Sequence, residues 1–399
     1  MKAIILAAGE GSRMRPLTCI RPKVMLPVAG KPIIEHLVLQ AIKAGVKEFI
    51  FVVGYHDEAI RGYFKSGEKW GINIDYLTQY RQLGTADALK AVRDAKANFL
   101  MMNGDAVIHY DDIRSLSRKR TNTMTLYEVV DASGLGVVTV QGNKVTRIYE
   151  KVAKPPSHLA NAGLYLFTPD ILEAINKTSP SPRGEYELTD SIQIMIDEGT
   201  PVTYRKASYW LDLSYPWDLL TANEALLNEL KPEKLGKIEA GVSIIEPVAI
   251  GKGTQIRSGT YIIGPVVIGE DCEIGPNCYI RPATSIGNSC HIGASCEVKN
   301  SIIMAKTNVP HLNYVGDSVI GENVNLGAGT KLANLRLDEA EIRVGGLATK
   351  RRKLGAIIGD GVKTGINASI DCGSVIGNGT FIGPGAVVSG VIAPNSMIL

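Results

Sequence analysis

The chain has 399 residues, of which 43 are basic and 40 acidic, for a formal net charge of +3. That length calls for two domains or one domain and a repeat array, and the even charge excludes a dedicated nucleic-acid binder or a polybasic membrane protein. With 45% hydrophobic and 21% charged residues, each half can bury a core, which excludes wholesale disorder.

From the N-terminus, short β-branched runs alternate with amphipathic stretches: Ala3 to Ala8, Ile33 to Lys43, Phe49 to Val53, Ala86 to Ala95 and Phe99 to Met102. Strand, helix, strand, helix reads as an α/β domain with a mixed, mostly parallel sheet. The apolar runs have strand length and fall far short of the ~20 residues of a spanning helix. Ala3 to Ala8 runs into a Gly-rich basic loop without a signal-peptide apolar region or cleavage site, so a cytoplasmic enzyme with no membrane or nucleic-acid partner is expected. A helical stretch, Trp217 to Leu230, meets Pro232 and the polar segment Lys231 to Lys237. The domains are therefore placed at residues 1–225 and 241–399, with 226–240 as linker.

Beyond the linker a six-residue period takes over: Ile244, Ile250, Ile256, Ile262, Ile268, Ile274, Ile280, Ile286, Ile292, Val298 and then Met304. It resumes at Ile320, Leu326 and Leu332, and again at Ile358, Ile370, Ile376, Ile382 and Val388, with Thr364 the polar member. Two positions earlier sits a small residue, as at Val248, Thr254, Thr260, Val266 and Thr284. Such hexapeptides build a parallel β-helix in which the aliphatic and the small residue point inward and Gly turns the corner. Cys272, Cys278, Cys290 and Cys296 occupy the small position, which reads as core packing because zinc sites favour spacings such as C-x2-C. Arg281 and Lys299 replace Gly at two corners, where they point toward solvent or a partner chain. The register breaks after Met304, and Leu335 to Leu354 is an insertion containing Lys350-Arg351-Arg352-Lys353. This basic run can bind an anion or be a solvated loop. His291 is read as a structural corner residue.

Three N-terminal segments carry chemistry. After the first strand comes Leu6-Ala7-Ala8-Gly9-Glu10-Gly11-Ser12-Arg13-Met14-Arg15-Pro16-Leu17-Thr18, then Arg21-Pro22-Lys23 and Leu26-Pro27-Val28. A Gly-rich turn at a strand's carboxyl edge offers backbone N–H groups to a phosphate chain, and Arg15 and Lys23 can neutralise it. Neither the P-loop nor the G-x-G-x-x-G pattern is present, and GxG with basic residues is as readily an ordinary turn. Asn103-Gly104-Asp105 puts a carboxylate where open α/β sheets bind ligands, although a lone Asp there can equally cap a helix. Trp210-Leu211-Asp212 supplies a second carboxylate.

The full string over roughly residues 1 to 225 resembles the sugar-1-phosphate nucleotidylyltransferase family. The resemblance implies nucleotide binding by Leu6, Ala8, Gly9 and Gly11, and by Gln79, Gln82, Gly84 and Thr85 of the segment Gln79 to Ala86, with Gln82 reading a pyrimidine edge. It implies catalytic roles for Arg15 and Lys23, Mg²⁺ held by Asp105 and Asp212, and a sugar phosphate held by Gly136, Glu150, Lys151 and Asn161. Val152 stands where that family usually has Pro. Arg183 to Asp190 also resembles a segment near the sugar, the alternative being a helix start capped by Thr189 or Asp190.

The C-terminal repeats resemble the left-handed hexapeptide β-helix family, which implies handedness and trimers. His311 to Thr330 with Asn334 is similar to the acetyltransferase half of the bifunctional bacterial family that makes UDP-N-acetylglucosamine. That resemblance implies His311 as catalytic base, Arg281, Lys299, Tyr314, Asn325, Ala328 and Asn334 as site residues, and acetyl-CoA as donor. The amides of Gly327, Ala328 and Gly329 are candidate oxyanion donors, and the basic run 350–353 could meet CoA phosphates. The expected enzyme is therefore bifunctional, taking UTP or dTTP, a hexose- or hexosamine-1-phosphate and acetyl-CoA, as a homotrimer or dimer of trimers. Two readings compete: a nucleotidylyltransferase for glucose- or mannose-1-phosphate with a purely structural β-helix, and a regulatory subunit without activity.

Overall fold

The computed structural model describes residues 1–92 and 96–399. The chain divides into two compact units, one of residues 1–11, 21–25 and 33–212, the other of residues 12–20, 26–32 and 213–399. Among the described residues no helix is long and apolar enough to cross a membrane.

The first unit is built on a nine-stranded mixed sheet. Strands Asn73–Thr78, Glu48–Val53, Lys2–Ala7 and Phe99–Asn103 lie side by side and parallel, and Leu159–Phe167 then runs antiparallel to the last of them. Phe49, Phe51, Val52 and Val53 are all buried, as the uninterrupted apolar run requires of a strand covered on both faces. The helix Ile33–Lys43 forms where the apolar period predicts it and buries Ile33, Ile34, Leu37, Val38 and Ala41. In the expected stretch 86–95 the helix spans Thr85–Lys90, and residues 93–95 lie outside the described residues. Register pairs Ala7 with Val53, Val53 with Thr78, and Leu6 with Asn103. The chain thus leaves the sheet four times at one edge, through the Gly-rich loop, Gly54, Gln79 and Gly104-Asp105.

The second unit is a three-sided coil of parallel strands. One face has nine strands, another eight, and the third has five and three, joined by isolated bridges from Asn325 to Asn308 and to Lys363. The aliphatic column is buried from Ile250 to Val388, with the four expected cysteines in the same core. At several turns the small inward residue does more than leave space, because its hydroxyl or thiol donates to a corner carbonyl of the next coil. Thr254 reaches Gly269 O at 2.6 Å, Cys278 reaches Gly293 O at 2.8 Å and Thr307 reaches Gly321 O at 2.8 Å. Burial pushes the Cys278 thiol up to about 12.

Three details depart from the sequence reading. Ile286 pairs with Ile303, so Ile303 and not Met304 takes the inward place; one residue is lost at the corner after Lys299, before the expected break. Glu233–Lys234 and Lys237–Ile238, expected as linker, already pair as strands of the first coil, because their backbone groups meet a parallel neighbour there. His291 lies on a face, stacked between Glu273 and Asn308, and not at a corner.

One face of the coil is apolar on its outside as well, where Ile302, Val319 and Ile357 are buried. The hairpin of Pro27–Val28 with Lys31–Pro32 and the helix Asp218–Leu227 pack on this face. At the hairpin tip a Cβ on Gly30, at φ +78°, would come within 3.1 Å of Val267. Fully buried Asn223 accepts from Ala29 N at 2.8 Å and Ser285 Oγ at 2.6 Å, and donates to Ala283 O at 2.7 Å. Asn223→Ala strands these three groups and is expected to lower unfolding free energy by about 3 kcal/mol in denaturant titration.

Candidate functional site

The nucleotide-site candidates of the first unit lie at the carboxyl edge of its parallel strands. Gly104 N donates to Leu6 O at 2.9 Å, which sets Asp105 beside the start of the Gly-rich loop, and Lys23 Nζ contacts Asp105 Oδ2. The short strand Trp210–Leu211 pairs antiparallel with Val107–Ile108, matching Leu211 to Val107. Continuing that register by one residue carries Asp212 opposite Ala106, next to Asp105, and so joins carboxylates more than a hundred positions apart. Arg15 lies on the segment Ser12–Ile20 of the second unit.

The segment after Gln79 is held by its own polar groups. Gln79 Nε2 donates to Gly84 O at 3.1 Å and Asp87 Oδ2 at 2.8 Å, so its amide nitrogen orders the loop. Gly84 has φ +111°, and a Cβ on it would approach Tyr186 O to 2.5 Å. Thr85 Oγ1 accepts the Leu188 amide at 3.0 Å. This replaces the expected Thr189 or Asp190 cap: the helix Leu188–Asp197 starts after Glu187, which makes no side-chain cap bond. Gln82 is exposed, and its Nε2 would stand 2.9 Å from a Cβ on Gly54, which also faces Ala8 Cβ at 3.0 Å. Gly54 is a residue the sequence reading missed; a lone Gly ending the strand at Val53 was the available signal.

The sugar candidates also cluster. A Cβ on Gly136 would lie 2.8 Å from Glu150 Oε2 and 4.0 Å from Asn161 Cβ, so Gly136 leaves room for that carboxylate. Glu150 accepts from Arg183 Nη2 and Thr189 Oγ1, each at 3.4 Å, with Lys151 Nζ at 3.7 Å. Asn161 exchanges hydrogen bonds with the Tyr165 hydroxyl at 2.6 and 2.8 Å. Arg183 also binds Glu187 Oε1 at 2.6 Å, and burial raises the Glu187 and Asp190 carboxyls above their ordinary range.

On the coil, Arg281 and Lys299 occupy one edge in consecutive turns, and neither is simply solvated. Arg281 Nη1 pairs with Glu297 Oε1 at 2.8 Å, and Lys299 Nζ with Asp317 Oδ2 at 2.9 Å. Both carboxylates come from the next turn, so reading the sequence in columns one coil apart would have found them. Asn334 donates to Asp317 Oδ2 at 2.5 Å. A Cβ on Gly316 would fall 2.6 Å from the Tyr314 hydroxyl and 2.8 Å from Asn334 Nδ2, so these two side chains meet over Gly316. Exposed His311 sits at the preceding corner, between the faces of Asn308–Val309 and Tyr314–Gly316. Of the three expected oxyanion donors, Gly327 N is bonded to Thr364 Oγ1 at 2.8 Å and Gly329 N to His311 O at 2.9 Å. Coil pairing engages both amides, which leaves the amide of Ala328, itself unbonded among the described residues. Asn325 lies on the third face, away from the Arg281–Lys299–Asn334 edge. Within the basic run 350–353, Lys350 N donates to Glu341 Oε1 at 2.7 Å, Arg351 Nη2 donates to Thr221 Oγ1 at 2.7 Å, and Arg352 pairs with Glu339.

Residues 2–229 match the nucleotidyl transferase family, residues 262–366 the GMPPB C-terminal domain, and residues 355–390 the bacterial transferase hexapeptide repeats. The chain is 46% identical to the bifunctional protein GlmU of Methanococcus maripaludis, over 100% of this chain and 97% of the relative. This chain belongs to the bifunctional GlmU family. Within the GlmU family it is 41% identical to the Methanocaldococcus jannaschii protein, over 100% of this chain and 97% of that one. It is also 41% identical to a Sulfurisphaera tokodaii protein named bifunctional sugar-1-phosphate nucleotidylyltransferase/acetyltransferase, over 98% and 97% of the two chains. A Bacillus anthracis structure described as a glucose-1-phosphate thymidylyltransferase matches with a TM-score of 0.53 at 31% identity, over 58% of this chain and 96% of that one. With the hexapeptide repeats matched, the coil is a left-handed parallel β-helix. The GlmU-family relatives span both halves, which favours an enzyme with two transferase domains over a single-activity enzyme or an inactive subunit.

Gly54→Ala pushes a methyl group into Gln82 and the Gln79 carbonyl. Steady-state kinetics should show KM for the nucleoside triphosphate raised about tenfold, with little change in KM for the sugar phosphate.

Proposed function

We propose that the C-terminal domain N-acetylates glucosamine-1-phosphate, or galactosamine-1-phosphate, from acetyl-CoA, and that the N-terminal domain then transfers a uridylyl group from UTP to the N-acetylated sugar phosphate, releasing pyrophosphate. The observation that carries the second activity is the shared edge of Arg281, Lys299, Tyr314 and Asn334, since a coil used only as scaffold needs no such cluster. The bases of UTP and dTTP differ by a methyl group, and Gln82 reads either base.

In nucleotidyl transfer, an oxygen of the sugar-1-phosphate attacks the α-phosphorus and pyrophosphate leaves. The phosphate monoester is already an anionic nucleophile, so no general base is needed. Lys23 and Arg15 neutralise charge on the triphosphate, Gly9 and Gly11 turn amides toward it, and Glu150 with Asn161 orients the sugar hydroxyls while Lys151 meets its phosphate. Asp105 and Asp212 suit Mg²⁺, which is commonly held by one or two carboxylates plus substrate phosphates and which, when bound, supplies further charge neutralisation. Lys23→Ala should lower uridylyl transfer about a hundredfold while the circular dichroism spectrum stays unchanged; near-normal turnover sinks the assignment.

In acetyl transfer, His311 accepts a proton from the sugar's 2-amino group as the nitrogen attacks the thioester carbonyl, the C–N bond forms, and the CoA thiolate leaves. Arg281 and Lys299 hold the sugar phosphate, and the Ala328 amide faces the developing oxyanion. Because Asn325 lies on another face from the phosphate edge, a site using both is closed by a neighbouring copy, in keeping with a homotrimer. Thiol release from acetyl-CoA should occur with one of the two amino-sugar phosphates and fall at least about a hundredfold in His311→Ala. No release with either sugar would leave a nucleotidylyltransferase on a structural coil.

A further inference from the structure

The least expected feature of the coil edge is a buried carboxylate. Asp317 is 3% exposed, at a corner where its φ is 49°, the left-handed conformation that recurs at corners of this coil, as at Ser289, Ser295 and Lys306. Three side-chain donors from two other segments converge on it. Asn300 Nδ2 reaches Oδ1 at 2.7 Å, while Lys299 Nζ and Asn334 Nδ2 reach Oδ2 at 2.9 and 2.5 Å. Its backbone is tied as well, with its amide donating to Lys299 O at 2.9 Å and its carbonyl accepting from Gly355 N at 2.8 Å. Asn334 is where the insertion leaves the coil and Gly355 is where it returns, so Asp317 pins both ends of that excursion. From within the insertion, Arg351, anchored on Thr221, adds a positive charge near Asp317.

We infer that Asp317 is a positioning residue for acetyl transfer, holding Lys299 and Asn334 in the orientation in which they receive the amino-sugar phosphate. This rests on the reading of Lys299 as a phosphate ligand. A free lysine side chain samples many rotamers and loses that freedom on binding. Lys299 has already lost it, because one of its three N–H bonds is spent on Asp317 and the other two remain for a phosphate oxygen. The same carboxylate fixes which way the Asn334 amide faces, and through Asn334 it sets the Tyr314 hydroxyl over Gly316. Three donors around a buried acid also make its charge matter: substituting the carboxylate by an amide would turn an N–H group toward other N–H groups.

The test is a double-mutant cycle on the full-length enzyme, with KM measured separately for glucosamine-1-phosphate and acetyl-CoA. Lys299→Met and Asp317→Asn should each raise KM for the sugar phosphate about tenfold and leave KM for acetyl-CoA within about twofold; the double variant should fall well short of the product of the two single effects. Asp317→Glu, which keeps the charge, should recover most of the loss. Uridylyl transfer and the unfolding temperature report whether each variant is folded. An unchanged sugar-phosphate KM in Asp317→Asn, or effects that multiply in the double variant, overturns the inference. If Asp317→Asn does not fold, failure of Asp317→Glu to retain a near-normal KM overturns it as well. An unchanged KM in Lys299→Met is a different failure, that of the phosphate-ligand reading itself.

Discussion

A parallel coil can grow only if each turn hands the next an unbroken column of inward aliphatic side chains at the same height. The column from Ile250 to Val388 meets that condition with Thr364 as its one polar member among the described residues, and the backbone ladders of the three faces depend on it. Faces therefore cannot vary, because a residue added or lost there would rotate the following side chains out of the core. Corners can vary. The corner between the eight-stranded and nine-stranded faces takes all of the variation in this part of the coil: Arg281, then Lys299 with its missing residue, then Gly316-Asp317, then the insertion after Asn334. Irregularity on one edge in consecutive turns is how a rigid repeat makes a polar site.

The first unit obtains its site by another route. Parallel strands deliver their carboxyl ends to one edge, so the loops that follow them converge without any of them being long. Backbone economy does the rest. Gly54, Gly84, Gly104 and Gly136 each stand where a Cβ would strike a neighbouring backbone or side-chain atom, and their absence of side chain is what lets Gln82, Tyr186, Leu6 and Glu150 take their places. The polar groups around Glu150 are mutually satisfied before any sugar arrives, so binding exchanges one set of hydrogen bonds for another and favours a ligand that matches their geometry.

Asn223 shows how the two chemistries share a chain. Its single amide holds the hairpin that follows Lys23 and the coil corner two residues beyond Arg281. Each of its three partners is buried, so the bonds are exchanged for no water and stay formed. The helix that carries it follows Asp212 by only a few residues, which makes the segment after that carboxylate part of the coil's own packing.

Much of this was legible in the sequence. The six-residue period specifies a coil because each hexad supplies one face and turns one corner, so that every third hexad returns to the same face, and the helix Ile33–Lys43 and the strand at Phe49–Val53 follow from their apolar periods. The GxG string, Asp105 and the odd corners at Arg281 and Lys299 stand out by residue type alone. Their partners do not. Glu297, Asp317 and Gly54 are ordinary residues in ordinary positions, and only the stacking of one turn on the next, or of one loop beside another, puts them against the site. The same holds for the register: whether Ile303 or Met304 turns inward depends on which corner loses a residue, a choice made by hydrogen bonds to the neighbouring coil and invisible to a period read along one strand. Local pattern determines which way a side chain faces, while the contacts it makes depend on residues far away in sequence, and those are decided only when the chain has folded.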